Sequence, residues 1–259
     1  MTLVDVHPTA VIDPGAELGR DVQVGPYAVL GPGVSLGDGC RVGPHAVLER
    51  NVRVAREVTL GAGVVLGSTP QDVKYHGEET WVEIGPRTVI REYSTVHRAT
   101  AASGTTRVGP DCFLMTYVHV AHDCQIGAGV TIANSTQLSG HIVIEDRATI
   151  SGLCALHQFI TVGTHAFVGG SSRLPQDIPP YVKAVGNPVR LFGLNTVGLT
   201  RAGMPAATLA ALKHAYRLLF NSDRPRPEAV AALAESAARV PEVARLLDFV
   251  TRAPRGVPR

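Results

Sequence analysis

Residues 108–132 read VGPDCF LMTYVH VAHDCQ IGAGVT I, with an aliphatic side chain at Val108, Leu114, Val120, Ile126 and Ile132. A spacing of six fits neither the 3.6-residue turn of an α-helix nor the two-residue alternation of an ordinary strand. It fits a solenoid of short strands in which three hexads close one triangular coil of about eighteen residues. The same spacing runs down to Val6 and up to Leu174, through Val24, Leu48, Leu66, Ile84, Ile90, Val96, Ile144 and Val162, with breaks after Leu66 and Val96. Small or β-branched residues fall four places after the aliphatic one, at Ala28, Val34, Ala46, Val130, Thr136 and Ala166, where two faces of a thin coil leave little room. Glycines that directly follow the aliphatic residue, such as Gly85, Gly109 and Gly127, are expected at corners that need unusual backbone angles. The expected fold is mainly β, a parallel β-helix of hexapeptide repeats.

Cys40, Cys112, Cys124 and Cys154 all occupy the small inward slot, which makes them compact buried hydrophobes rather than a disulfide or zinc framework. No N-terminal apolar stretch resembles a signal peptide or a membrane span, so a cytoplasmic protein that is not integral to a membrane is expected. The net charge of +2 hides a division. Residues 187–259 carry 11 Lys and Arg against 5 Asp and Glu, or +6, which leaves −4 for the rest. After Gly186-Asn187-Pro188 the pattern turns helical, with Leu209, Leu212, Tyr216, Leu219 and Phe220 between Pro205 and Asn221, and shorter helices over 227–239 and 241–252. The expected division is a β-helix over 1–186 and a C-terminal α-helical domain over 187–259 that caps it. Arg190, Arg201, Lys213 and Arg217 are either a solvated face or a docking surface for an acidic partner. Nothing resembles a base-reading element, so no nucleic-acid role is expected.

Histidines decorate the repeat. Counted in coils of about eighteen from Val108, His122, His141 and His157 recur once per coil near one corner. Coils stack about 4.8 Å apart, so these three imidazoles are expected to form a ladder, joined by His119. Imidazole titrates near neutrality and serves as acid, base or ligand. His7, His45, His165 and His214 show no such stacking and are read as ordinary. Lys74 lies in the first interruption and His97 opens the second. The same count places His97 on a different face from His122, so a pocket using both would need a neighbouring chain. A homotrimer with sites in the clefts between subunits is expected.

Gln71-Asp72-Val73-Lys74-Tyr75, Thr95-Val96-His97-Arg98, His119-Val120-Ala121-His122-Asp123-Cys124, Gly140-His141, His157-Gln158-Phe159 and Gly186-Asn187-Pro188 together resemble the UDP-N-acetylglucosamine acyltransferases that open lipid A synthesis. The likeness spans essentially the whole chain, whereas the hexads alone indicate only the wider hexapeptide transferase superfamily. The resemblance implies left-handed coils, against the usual crossover rule. It also implies transfer of a 3-hydroxyacyl group from acyl carrier protein to the sugar 3-position, with no cofactor and no metal beyond the carrier's own thioester.

By position, the resemblance makes His122 the general base, Asp123 its orienting carboxylate and Gly140 the backbone donor to the tetrahedral oxyanion. His119, His141, His157 and Gln158 would line the cleft, with Asp72, Lys74 and His97 reaching the sugar or phosphate. Asn195 and Arg201 would hold the uridine diphosphate. Gly170 falls at the place that limits acyl-chain length, and Phe167 nearby could refill the space. Gly67-Ser68-Thr69-Pro70 departs from the family pattern ahead of the Lys74 loop. A 3-amino acceptor would suit the same base. The sister N-acyltransferases carry an extra N-terminal domain, whereas here the hexads begin at Val6. A γ-type zinc carbonic anhydrase would share the fold and hold zinc through histidines of neighbouring chains. A non-catalytic scaffold would have no use for the histidines.

Overall fold

The computed structural model describes residues 4–258. Each hexad yields a strand of two to four residues, and residues eighteen apart pair in parallel, as in Gln23↔Arg41, Val24↔Val42 and Thr131↔Thr149. Among the described residues the strands form three sheets of eleven, nine and eight. The result is the left-handed parallel β-helix of hexapeptide repeats. Strands this short send one side chain in and the next out. The aliphatic positions are the core: Leu30, Leu48, Leu60, Ile90, Leu114, Ile132, Leu138 and Ile150 are fully buried. Each such side chain contributes roughly 1.5–3 kcal/mol by leaving water. The four cysteines lie in the inward slot as expected, all free and buried.

The corners differ from the expected arrangement. The left-handed residue stands three places after the aliphatic one and is seldom glycine: Asp21, Tyr27, His45, Asn51, Tyr117, Asp123, His141 and Phe159 all have φ between 52° and 64°. At most of these corners its amide donates to a carbonyl one coil below, as His141 does to His122 at 3.0 Å. The glycines that directly follow the aliphatic residue serve another purpose. A Cβ at Gly109 would lie 2.5 Å from the Gly127 carbonyl oxygen, so what they supply is close approach between coils.

Repetition turns each corner into a column of like side chains. One edge carries the stacked pairs Tyr27–His45 and Tyr93–Tyr117, another the Arg87–Asp111 ion pair. The third carries Asp123, His141 and Phe159 in successive coils. Both interruptions lengthen the coil. Leu60 pairs with Ile90, and Val96 pairs with Val120, twenty-four residues on. That second insertion overturns the expected place of His97: it lies on the same sheet as His119, one coil below, and no neighbouring chain is needed to bring it there.

The sheet outlasts the expected boundary at 186/187, because strand Val189–Leu194 turns back antiparallel on Val182–Gly186. Helices begin afterwards: α1 (Thr196–Arg201), α2 (Ala206–Phe220), α3 (Arg226–Ala232), α4 (Ala234–Arg239) and α5 (Pro241–Arg252). α1 was not anticipated, and the helix expected over 227–239 is divided at Leu233. Leu199, Leu212, Leu219, Val243 and Leu246 form a second core under Tyr181 of the last coil. The Gly193 amide donates to the Tyr216 hydroxyl at 2.9 Å, and Arg245 pairs with Glu145 at 3.1 Å, so the helices are tied to the solenoid. Beyond α5, Arg255 donates its amide to Asp177 and Gly256 accepts from the Asp177 amide. Among the described residues no helix is long and apolar enough to cross a membrane.

Candidate active site

The strand His119–Val120 ends at a corner that presents His122 and then turns through Asp123 in the left-handed conformation, φ 62°. This conformation folds the carboxylate back towards the preceding ring, and Asp123 Oδ2 lies 2.7 Å from His122 Nδ1. Both side chains are buried, Asp123 completely. Burial pushes the Asp123 carboxyl up, but hydrogen bonds from Ser103, His122 and Thr100 outweigh it and hold the group at about 2. An ionised carboxylate only accepts, so His122 donates from Nδ1, which in the neutral imidazole leaves the lone pair on Nε2. His122 borders a cavity of about 270 Å³ that is also lined by Gln71, His119, Gln137, Gly140 and Gln158.

Gly140 is the residue one coil above His122. A Cβ there would lie 2.5 Å from His122 Cε1 and 2.7 Å from Nε2, so the ring occupies the space that a side chain would take. The Gly140 amide donates to no partner among the described residues. Pro26, Pro44, Pro86 and Pro110 occupy the same register elsewhere, so the coil has no need of that N–H. At Gly140 it remains available beside Nε2.

Around this pair the structure gathers most of the expected residues. The His141 ring meets His122 edge-on at 5.1 Å between centroids, and its Nε2 is 3.7 Å from Asp123 Oδ2. His119 accepts or donates a 2.7 Å bond with the Thr95 hydroxyl and meets the His97 ring edge-on at 4.9 Å. Burial, with His97 and His122 adding to it, holds the His119 imidazole down at about 4. Burial lowers His97 as well, and its Nδ1 has no hydrogen-bond partner among the described residues. The expected three-rung ladder is instead two edge-on pairs. Phe159, not His157, stacks on His141, at 4.4 Å and 9°. His157 falls two residues earlier on the coil, and its Nδ1 meets Arg255 of the C-terminal tail at 2.8 Å.

Other expected residues lie apart within one chain. Asp72 accepts the amide of Lys74 in its own loop, and Lys74 is exposed. Asn195 caps α1 through the Gly198 amide and donates to the His165 carbonyl. With Arg201 it lines a second cavity of about 350 Å³ that also includes Phe167 and Lys183, over the eleven-stranded sheet rather than the nine-stranded sheet of His119. Gly170 is exposed at a corner, where an added Cβ would make only ordinary contact, 3.4 Å from the Gly152 carbonyl oxygen.

Sequence reasoning missed Thr100, Ser103, Phe159 and Arg255. The signal for the first two was a hydroxyl-rich insertion one coil below His122-Asp123. Ligand atoms of His122, Asp123 and His141 all lie within 4.8 Å of one another, close enough for a divalent ion. Occupancy would require the Asp123 carboxylate to exchange donors it already has.

Residues 177–258 match the family description "Udp N-acetylglucosamine O-acyltransferase; Domain 2", and residues 15–50 and 105–140 match "Bacterial transferase hexapeptide (six repeats)". A curated acyl-[acyl-carrier-protein]–UDP-N-acetylglucosamine O-acyltransferase from Paracidovorax citrulli is 50% identical, over 98% of this chain and 99% of its own. Its counterpart from Thiobacillus denitrificans is 45% identical over 99% of this chain and 100% of its own. The crystal structure of a UDP-N-acetylglucosamine acyltransferase from Bacteroides fragilis is similar at a TM-score of 0.96 and 36% identity, covering 98% of this chain and 99% of that one. The Francisella novicida structure is similar at 0.95 and 30%, over 98% and 94%.

Proposed function

Because this chain belongs to the acyl-[acyl-carrier-protein]–UDP-N-acetylglucosamine O-acyltransferase family, we propose that it performs the first acylation of lipid A synthesis with His122 as its general base. The protein transfers an acyl group from acyl carrier protein to UDP-N-acetylglucosamine. In the proposed step His122 Nε2 removes the proton of the sugar 3-hydroxyl as its oxygen attacks the carbonyl carbon of a 3-hydroxyacyl thioester. Asp123 remains ionised and stabilises the imidazolium through Nδ1–H. The Gly140 amide donates to the oxyanion of the tetrahedral intermediate, which collapses by breaking the C–S bond. The leaving thiolate takes the proton back from His122. The ester and the carrier thiol are the products, and no resident metal or cofactor is required.

The single observation that carries this reading is the His122–Asp123 bond of 2.7 Å at a cavity that His122 lines together with Gly140. The test offers UDP-N-acetylglucosamine with a panel of acyl carrier protein thioesters to the wild type and to His122→Ala. Acyl product from the wild type and at least a ~100-fold loss in a folded variant are expected. Undiminished turnover by His122→Ala removes the base.

Two further assignments belong to this reading. The active form is a cytoplasmic homotrimer in which the Asp72–Lys74 loop and the Asn195–Arg201 face of one subunit meet the His122 cleft of another. Its supports are Val73, 98% exposed at the loop tip, and the separation of the two cavities within one chain. His157 and Gln158 border the sugar, and Gly170 leaves room for the acyl chain. The +6 helical end suits an acidic carrier protein. The clustering of His122, Asp123 and His141 favours zinc hydration as a second reading. Stoichiometric zinc and turnover lost to a chelator would establish it, and acyl transfer that survives chelation would remove it.

A further inference from the structure

The corner directly beneath Asp123 is missing from the repeat. At most corners the left-handed residue donates its amide to a backbone carbonyl one coil down, as Tyr117 does to Glu92. Below Asp123 the chain instead leaves the coil after strand Thr95–His97 and returns at strand Thr105–Val108. Residues of this insertion and of the returning strand meet Asp123 instead. The Asp123 amide donates to the Thr106 hydroxyl at 2.9 Å. The Thr100 hydroxyl donates to Asp123 Oδ2 at 2.8 Å, and the Ser103 hydroxyl donates to Oδ1 at 2.5 Å. The amides of Thr100 and Ser103 add bonds of 3.1 Å and 3.2 Å to Oδ1.

We propose that Thr100 and Ser103 are positioning residues, forming a clamp that fixes the Asp123 carboxylate against His122 and so holds the base in its working tautomer. One hydroxyl on each oxygen prevents rotation of the carboxylate plane. The Oδ2–Nδ1 bond needs that plane to stay put, because His122 shares Oδ2 with Thr100. The Thr100 hydroxyl is itself oriented, since it accepts the Ala102 amide at 3.2 Å and must turn its proton towards Asp123. The donor-only surroundings suit the ionised carboxylate: a protonated acid would set its O–H against donors that already point at it. The insertion thus replaces backbone ladder bonds with side-chain donors at the one corner that must carry a buried charge.

This inference rests on His122 as the base, and kinetics of the full chain with UDP-N-acetylglucosamine and an acyl carrier protein thioester test it separately. Ser103→Ala and Thr100→Val are each expected to lower kcat about five-fold or more, with both Michaelis constants within about two-fold. Each is also expected to move the acidic limb of the kcat profile to lower pH, because a loosened carboxylate stabilises the imidazolium less, whereas Thr100→Ser keeps wild-type kcat. In an Asp123→Asn background the same changes are expected to cost less than about two-fold, because they act through that carboxylate. Folded variants with unchanged kcat and unchanged acidic limb overturn the clamp. So does a five-fold loss that persists beside Asn at position 123, which marks a merely structural role. Should Thr100→Val fail to fold, Ser103→Ala, an exposed site, supplies the same comparison. A His122→Ala chain that retains turnover refutes the base itself, whatever the loop variants do.

Discussion

Gly140 illustrates how one atom decides the chemistry of the corner. Its missing Cβ is the space in which the His122 ring lies, at 2.5–3.0 Å from where the carbon would be. Gly140→Ala is therefore expected to displace the ring and lower kcat by about 100-fold, while circular dichroism melting stays close to wild type. Retained kcat would mean that the ring has room elsewhere. Asp123 and His119 make stability depend on pH in two adjoining windows. The Asp123 carboxyl is held at about 2 against an ordinary 3.8. Its contribution, about 2 kcal/mol, is complete above pH 4 and is lost as pH falls towards 2. The His119 imidazole is held at about 4 against 6.5, so the unfolded chain takes up that proton first. Stability should fall between pH 6.5 and 4, read from urea unfolding midpoints, and His119→Asn should flatten that window. A flat wild-type profile across it would contradict the burial of His119.

Corners rather than strands carry the information at the scale of the element. The left-handed place accepts Asp, His, Tyr, Phe and Ser, and most amides there are bonded down the stack. Branching at Cβ is what it resists. Ser171, exposed with φ 57°, tests this: Ser171→Val should destabilise by about 1–2 kcal/mol, and Ser171→Gly should not, by thermal or urea unfolding. Equal effects of the two would show that backbone handedness is not the constraint. The hexad alone made the strands legible. It did not locate His97, because counting in units of eighteen ignores six extra residues, and it placed His157 on a rung that Phe159 occupies. The short helix α1 escaped notice for lack of an apolar stripe; its start is fixed by Asn195, whose side chain accepts the Gly198 amide.

For the whole molecule, the question is how the two cavities come to serve one reaction. His122 and Gly140 open beside the nine-stranded sheet, while Asn195 and Arg201 open over the eleven-stranded one. In the proposed trimer these belong to neighbouring subunits. Mixing His122→Ala chains with Arg201→Ala chains, each impaired alone, should then restore turnover, because some clefts receive both intact halves. No recovery in verified mixed trimers would place the two residues in separate roles. Sedimentation of a fully active monomer would exclude the assembly altogether.

The sequence by itself determined the solenoid, its inward slots, the buried thiols and the helical end, because each depends on spacing along the chain; the His122–Asp123 pair was legible only through the resemblance of its motif to a known family. Tertiary structure alone decided which corner each histidine reaches, since insertions shift the register without changing the pattern. It alone revealed the donors around Asp123. Those contacts join residues twenty or more apart through a loop whose path obeys no period, and proximity of that kind is set by the stacking of coils rather than by the order of residues.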